Sequence, residues 1–138
     1  MPSDPFHLAI PVDDLAAARA FYGTLLQCAE GRSTDSWVDF DFFGHQISLH
    51  LGTPFEAPAD GQVDGIGVPV PHLGVILNLQ DWQQLADRLG AAGVDFVLPP
   101  TRRFAGQPGE QCTMFFRDPS GNPIEIKGFS DFERTFAT

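Results

Sequence analysis

Basic residues are scarce. Eight Lys and Arg stand against eighteen Asp and Glu, a formal net charge of −10. So acidic a chain lacks the basic footprint that nucleic acids and anionic membrane surfaces require, so neither is expected as a partner. Cysteine is nearly absent: Cys28 and Cys112 alone make neither a disulfide framework nor a metal knuckle. The opening residues, MPSDPFHLAIPVDD, carry no basic n-region, and no apolar run approaches transmembrane length. The expectation is a soluble, cytoplasmic protein with two reduced thiols. Charge is sparse as well, at 19% of residues. Against that, 43% are hydrophobic and 13 are Phe, which supplies a core and argues against disorder. A length of 138 residues suits one compact domain, or two small similar halves sharing a core.

Phe6 to Val12 reads as a short strand ending at proline. Asp13-Asp14 then caps a helix of about 13 residues, with Leu15, Ala18, Phe21, Tyr22, Leu25 and Leu26 at helical spacing. After a Gly-containing connection, residues 37–42 and 46–51 alternate on either side of Phe43-Gly44, which predicts a hairpin. Gly52 to Pro71 has little periodicity and reads as a linker with room for one strand. The pattern then restarts. His72 to Leu77 is a strand, and Asp81 is positioned to cap a helix carrying Trp82, Leu85, Ala86 and Leu89 on one face and ending at Gly93. Val94 to Leu98 is predicted as a strand stopped by Pro99-Pro100, followed by a loop with Arg102 and Arg103. Cys112 to Arg117 and Ile124 to Lys127 form the last two strands, joined by the turn-forming DPSGNP segment.

The order strand, helix, strands thus occurs twice. His7 and His72 stand at matching places, 65 positions apart, and Gly44 to Leu49 matches Gly121 to Ile126. Such a repeat implies two similar units, each a curved sheet backed by a helix, which if facing each other enclose a cavity. The predicted layout is an α+β fold in which module 1 spans about residues 5–55, a linker about 56–70 and module 2 about 71–138.

Four histidines are present: His7, His45, His50 and His72. His7 and His72 open the two units, and Glu125 sits in the last strand between two isoleucines. Two imidazoles and one carboxylate form the facial set that binds first-row divalent metals and leaves positions open for substrate or water. A lone strand His is more often a core or surface residue and a lone strand Glu more often faces solvent, so on spacing alone both accounts stand. Asp39 and Asp41 share a strand face, as a solvated edge or a polar cavity wall. Arg102 and Arg103 precede the last hairpin, where a guanidinium either holds an anionic substrate group or lies in an exposed loop. Phe104 to Gln111 has the glycines of a mobile lid, and Glu110 within it is a candidate base. Phe129, Phe132 and Phe136 have helical spacing and are expected to pack on the domain or a second subunit.

The segments FHLAIPVDDLAAARAFYGTLL, PHLGVIL and MFFRDPSGNPIEIKGF together resemble the vicinal oxygen chelate superfamily, which includes glyoxalase I, extradiol dioxygenases, methylmalonyl-CoA epimerase, fosfomycin-resistance thiol transferases and bleomycin-binding proteins. The resemblance covers essentially the whole chain. It implies a single domain over residues 1–138, built from two βαβββ modules pairing into a half-open curved barrel around a metal-binding cavity, often completed in a homodimer. Carried over by position, His7, His72 and Glu125 match metal-ligand places, for one divalent ion per site (Fe, Mn, Ni or Zn). The implied activity is that of a metal-dependent lyase, isomerase or extradiol-type dioxygenase acting on a small oxygen-bearing substrate; the alternative is a non-catalytic binder of the bleomycin-resistance type. Arg103 and Glu110 are the candidate substrate contacts.

One position departs from the pattern. Counting from Gly44, Ser48 occupies the place equivalent to Glu125, where glyoxalase-like members carry a second Glu and the epimerase a Gln. His50, two residues on and on the same strand face, is favoured as a fourth metal ligand, or a cavity residue near the metal, and as a catalytic base alongside Glu125. His45 has the opposite parity and reads as structural or exposed.

Overall fold

The computed structural model describes residues 4–63 and 65–136. They form a mixed α+β fold in two compact units. The first comprises the residues up to Glu56 together with Asp118–Asn122. Its sheet contains β1 (His7–Val12), β2 (Ala29–Ser33), β3 (Trp37–Phe42) and β4 (His45–Leu51), in the order β1-β4-β3-β2. β1 runs parallel to β4, and the β3–β4 hairpin turns at Phe43 and Gly44, both at positive φ. Period-two alternation sends Ile10, Val12, Val38, Phe40, Phe42, Ile47 and Leu49 to one buried face. The helix covers it, with the Tyr22 ring 5.9 Å from Phe40 and 6.5 Å from Phe42.

That helix is α-helical only over α1 (Leu15–Ala18) and continues as a π-helical stretch over Arg19–Leu25. Asp14 is its N-cap, accepting from the Ala17 N–H. The wider turn carries the buried Tyr22, whose hydroxyl donates to Asp118 Oδ2 at 2.8 Å. Asn122 Nδ2 donates to the Pro11 carbonyl, and the Asp13 N–H to Ser120 Oγ. These bonds fasten the Asp118–Asn122 turn to the first unit although its flanking strands belong to the second.

The second unit comprises Ala57–Arg117 and the residues from Pro123 onward. Its sheet contains β7 (Leu73–Asn78), β8 (Leu98–Arg103), β9 (Gln111–Arg117) and β10 (Pro123–Phe129), in the order β7-β10-β9-β8. It repeats the first sheet's topology: β7 and β10 are parallel, the other neighbours antiparallel. Helix α2 (Leu79–Ala91) lies on one face, where Trp82 Nε1 donates to the Ile126 carbonyl and a Cβ at Gly128 would meet the indole at 2.7 Å. The segment expected to be a linker holds two short strands, β5 (Gly61–Val63) and β6 (Ile66–Val68), paired as a hairpin. Val68 from this hairpin packs with Leu98 and Phe115.

Three expectations are corrected. β8 begins at Leu98 and runs through both prolines to Arg103, where a strand over 94–98 and then a loop were predicted. An edge strand tolerates proline, and the register shifts between Leu98 and Thr101, across the two prolines. β2 was not foreseen: all of its residues are exposed, so it lacks an apolar alternation. The cap of α2 is Asn78, whose Oδ1 accepts from the Asp81 N–H, placing Asp81 inside the first turn. Phe136, in the C-terminal 3-10 turn, is 91% exposed and so does not pack on its own domain.

Candidate functional site

β10 follows the DPSGNP turn, and its alternation decides what it presents. Ile124 and Ile126 are fully buried, whereas Glu125 and Lys127 point to the opposite sheet face. Glu125 is 8% exposed, so its carboxylate needs partners. Its Oε2 accepts from Thr113 Oγ1 at 2.5 Å, and its Oε1 lies 3.1 Å from His72 Nε2. Thr113, on β9, was not singled out from sequence. The alternation in CTMFFR would have placed it on the face of Phe115 and Glu125.

His72 directly precedes β7, and its Nδ1 is 2.7 Å from the Pro69 carbonyl oxygen. A carbonyl only accepts, so Nδ1 carries the proton and the neutral ring keeps a lone pair on Nε2. That lone pair meets Glu125 Oε1, also an acceptor when ionised. A nitrogen lone pair and a carboxylate oxygen 3.1 Å apart are donors of the kind a divalent cation takes. The Phe115 ring stands edge-on to the imidazole at 4.9 Å and fixes its plane. By donor chemistry and tautomer, the pair fits a divalent metal as two of its protein ligands.

A cavity of about 330 Å³ opens here within the second unit, lined by His72, Thr113, Phe115, Glu125, Arg103 and Lys127 among others. Arg103 also lies over the Phe104 ring at 5.3 Å. Glu110 does not line it. Its carboxylate accepts from Arg102 Nη1 at 2.9 Å and borders a separate cavity of about 360 Å³ with Phe104 and Arg134. Beneath the cavity, Gly74 pairs with Glu125 so closely that a Cβ would fall 1.6 Å from the Glu125 carbonyl oxygen.

Of the remaining candidates, His7 and His50 belong to the open face of the first sheet, and His45 has the opposite parity beside the hairpin turn. His7 is exposed, with Nδ1 2.8 Å from Gln46 Oε1. Register sets Ala9, Ser48 and Asp39 in one row and Pro11, His50 and Trp37 in the next. The row Gly74, Glu125, Phe115 is its counterpart in the second sheet, so Ser48 occupies the register place of Glu125. Ser48 Oγ donates to Asp39 Oδ1 at 2.5 Å. His50 is exposed, its ring 6.3 Å from Trp37. His45 Nδ1 accepts from the Phe6 N–H. Among the described residues, no group of three or more His, Cys, Asp or Glu gathers as a metal-holding cluster.

Burial, and secondarily Asp118, hold the Tyr22 phenol well above its usual range, and burial raises the Cys112 thiol.

Two units with a β-α-β-β-β order and sheets of identical strand order define a class of small α+β proteins built from a repeated module. The chain belongs to the Glyoxalase/Bleomycin resistance protein/Dioxygenase superfamily, whose family model matches residues 5–126. It is similar to the glyoxalase/bleomycin resistance protein/dioxygenase from Alicyclobacillus acidocaldarius, at 32% identity and a TM-score of 0.76, covering 99% of this chain and 98% of that one. The fold is shared with the fosfomycin resistance protein FosX from Listeria monocytogenes (20% identity, TM-score 0.70, covering 96% and 98%). It is shared too with lactoylglutathione lyase from Agrobacterium tumefaciens (19% identity, TM-score 0.64, covering 92% and 94%). Among the described residues, no helix is long and apolar enough to cross a membrane.

Proposed function

We propose that the chain is a divalent-metal-dependent enzyme of the glyoxalase or dioxygenase type, acting on a small oxygen-bearing substrate. The observation that carries this is the His72–Glu125 pair: a lone pair on Nε2 and a carboxylate oxygen 3.1 Å apart at a cavity wall. His7, the positional twin of His72, is the third proposed donor. His50 is proposed as a further donor or as a base. The metal supplies charge that polarises a coordinated substrate oxygen. Thr113 holds Glu125 in position through Oε2, and Pro69 holds the His72 tautomer. Glu125 would serve as a ligand and as a proton acceptor. Arg103 borders the same cavity and is the proposed contact for an anionic substrate group. Glu110 is engaged by Arg102 and enters as a substrate contact only when that pair opens. The relatives' names span a lyase and a fosfomycin resistance protein. They make enzymatic use of such a site the favoured assignment, in a cytoplasmic homodimer.

Equilibrium dialysis against Mn²⁺, Ni²⁺ and Zn²⁺ tests the assignment. One ion per chain, lost in His72→Ala and in Glu125→Gln, supports it. Binding that neither variant changes refutes it.

A further inference from the structure

The β5–β6 hairpin has no twin in the first unit: among the described residues, no strand pair precedes β1. It is seated on the second sheet by apolar packing. Val68 is buried against Leu98 and Phe115, with Val63 partly buried beside them. Phe115 is the register partner of Glu125 as well as of Leu98, so the hairpin is anchored on the row that carries the carboxylate. Its far end is closed where the Val70 N–H donates to the Pro58 carbonyl at 2.9 Å.

Val63, Val68 and Val70 all line the cavity that contains His72 and Glu125. Gly61 lines it too, with bare backbone. A Cβ at that position would stand 2.8 Å from a methyl carbon of Val68 and 3.0 Å from one of Val70, so the two valines occupy the space a side chain would need. Val70 remains 42% exposed, which leaves aliphatic surface that the fold itself does not cover. The cavity is therefore two-sided in chemistry: donors from the sheet, and a valine wall from the hairpin.

We propose that the β5–β6 hairpin determines specificity, with Val63, Val68 and Val70 receiving an uncharged hydrocarbon group of the substrate beside its metal-facing oxygens. This rests on the metal-enzyme assignment above and deepens it. A cavity of about 330 Å³ is at the small end for ligand pockets, so the group is compact, of phenyl size and not a long acyl chain. Oxygens are common to every such substrate, whereas the area of hydrocarbon removed from water differs between them and so discriminates.

The test titrates the full chain, without metal, with 2-hydroxyacetophenone and separately with hydroxyacetone, followed by backbone amide NMR. The two probes present the same pair of oxygens and differ in phenyl against methyl. The wall predicts saturable shifts in β5, β6, β9 and β10, and an affinity about tenfold or more higher for the phenyl ketone. The double variant Val63→Thr, Val70→Thr keeps both branched shapes, adds a hydroxyl to each and is expected to cut that preference to about threefold or less. Equal affinities, shifts that never saturate or that spare β5 and β6, or a preference the double variant leaves intact overturns the proposal. Equilibrium dialysis of the same protein separates the two assignments. A chain that distinguishes the ketones but binds no metal refutes the metal assignment alone; one that binds metal but does not distinguish them refutes the valine wall alone.

Discussion

Ser48 donates its hydroxyl to the Asp39 carboxylate at 2.5 Å on the open face of the first sheet. In the second sheet, Thr113 donates to the Glu125 carboxylate at the same distance. Each sheet therefore has a hydroxyl–carboxylate bond between its last strand and the one before, directly across the ladder for Ser48 and Asp39 and diagonal for Thr113 and Glu125, whose register partners are Lys127 and Phe115. Glu125 is on the final strand and its hydroxyl partner on the one before; Ser48 is on the final strand of its unit and Asp39 on the one before. At the register place of Glu125 the first sheet thus has a hydroxyl, with a carboxylate directly across from it on the neighbouring strand.

A glutamate at 48 then conflicts with Asp39. Ser48→Glu sets two carboxylates directly opposite each other at a buried position, which raises one pKa and destabilises the fold. The expected loss is about 1–3 kcal/mol at pH 7. It is relieved below about pH 4, where the carboxylates protonate, or by pairing Ser48→Glu with Asp39→Ser. Urea denaturation of the single and double variants at both pH values checks this.

Thr113→Val removes the donor to Glu125 Oε2 while keeping the side chain's shape. The fold survives, and divalent-metal affinity drops by about 10–100-fold, the usual effect of losing a group that orients a ligand. Calorimetric metal titration measures it. An unchanged affinity separates Thr113 from the metal site.

The chain has one tyrosine, which makes its ionisation directly visible. The folded pKa of Tyr22 is raised by burial first and by Asp118 second. The protonated phenol is therefore favoured by folding. Its stabilisation is fully present below the unfolded value of about 10 and declines above it, by up to about 1.4 kcal/mol per pH unit. Tyrosinate absorbance at alkaline pH is expected to rise only together with loss of the far-ultraviolet circular dichroism. Tyr22→Phe abolishes that part of the slope and costs about 2 kcal/mol at neutral pH through the lost bond to Asp118.

Gly74→Ala tests the close approach beneath Glu125. A Cβ there cannot coexist with the Glu125 carbonyl oxygen, so β7 and β10 must separate. A destabilisation of about 3 kcal/mol or more is expected, measured by thermal unfolding, and the variant binds metal weakly even where it folds.

Much of the scaffold was legible because apolar alternation and helical spacing record burial directly. Trp37–Phe42 and His45–Leu51 alternate around a positive-φ turn, and Trp82, Leu85, Ala86 and Leu89 are the buried face of α2. β2 was illegible because none of its residues is buried, and β8 because Pro99-Pro100 reads as a stop unless the strand is known to be an edge. Asp81 and Asn78 both suit a cap, and only the hydrogen bond distinguishes them. For the site, the repeat pointed to His7 and His72, since corresponding places in two units are visible in spacing, and Glu125 stood out as a carboxylate between two isoleucines. The partners that orient His72 and Glu125, the Pro69 carbonyl and Thr113, leave no such trace.

The central claim is that His72 presents a bare Nε2 beside Glu125 for a metal ion. Long-range ¹H–¹⁵N correlation of the histidine rings during Zn²⁺ titration observes that nitrogen directly. The account predicts a proton on His72 Nδ1 throughout and a large shift of Nε2 that saturates at one ion per chain, abolished by Glu125→Gln. A His72 ring that stays unperturbed through the titration, or a proton found on Nε2 in place of Nδ1, would contradict it.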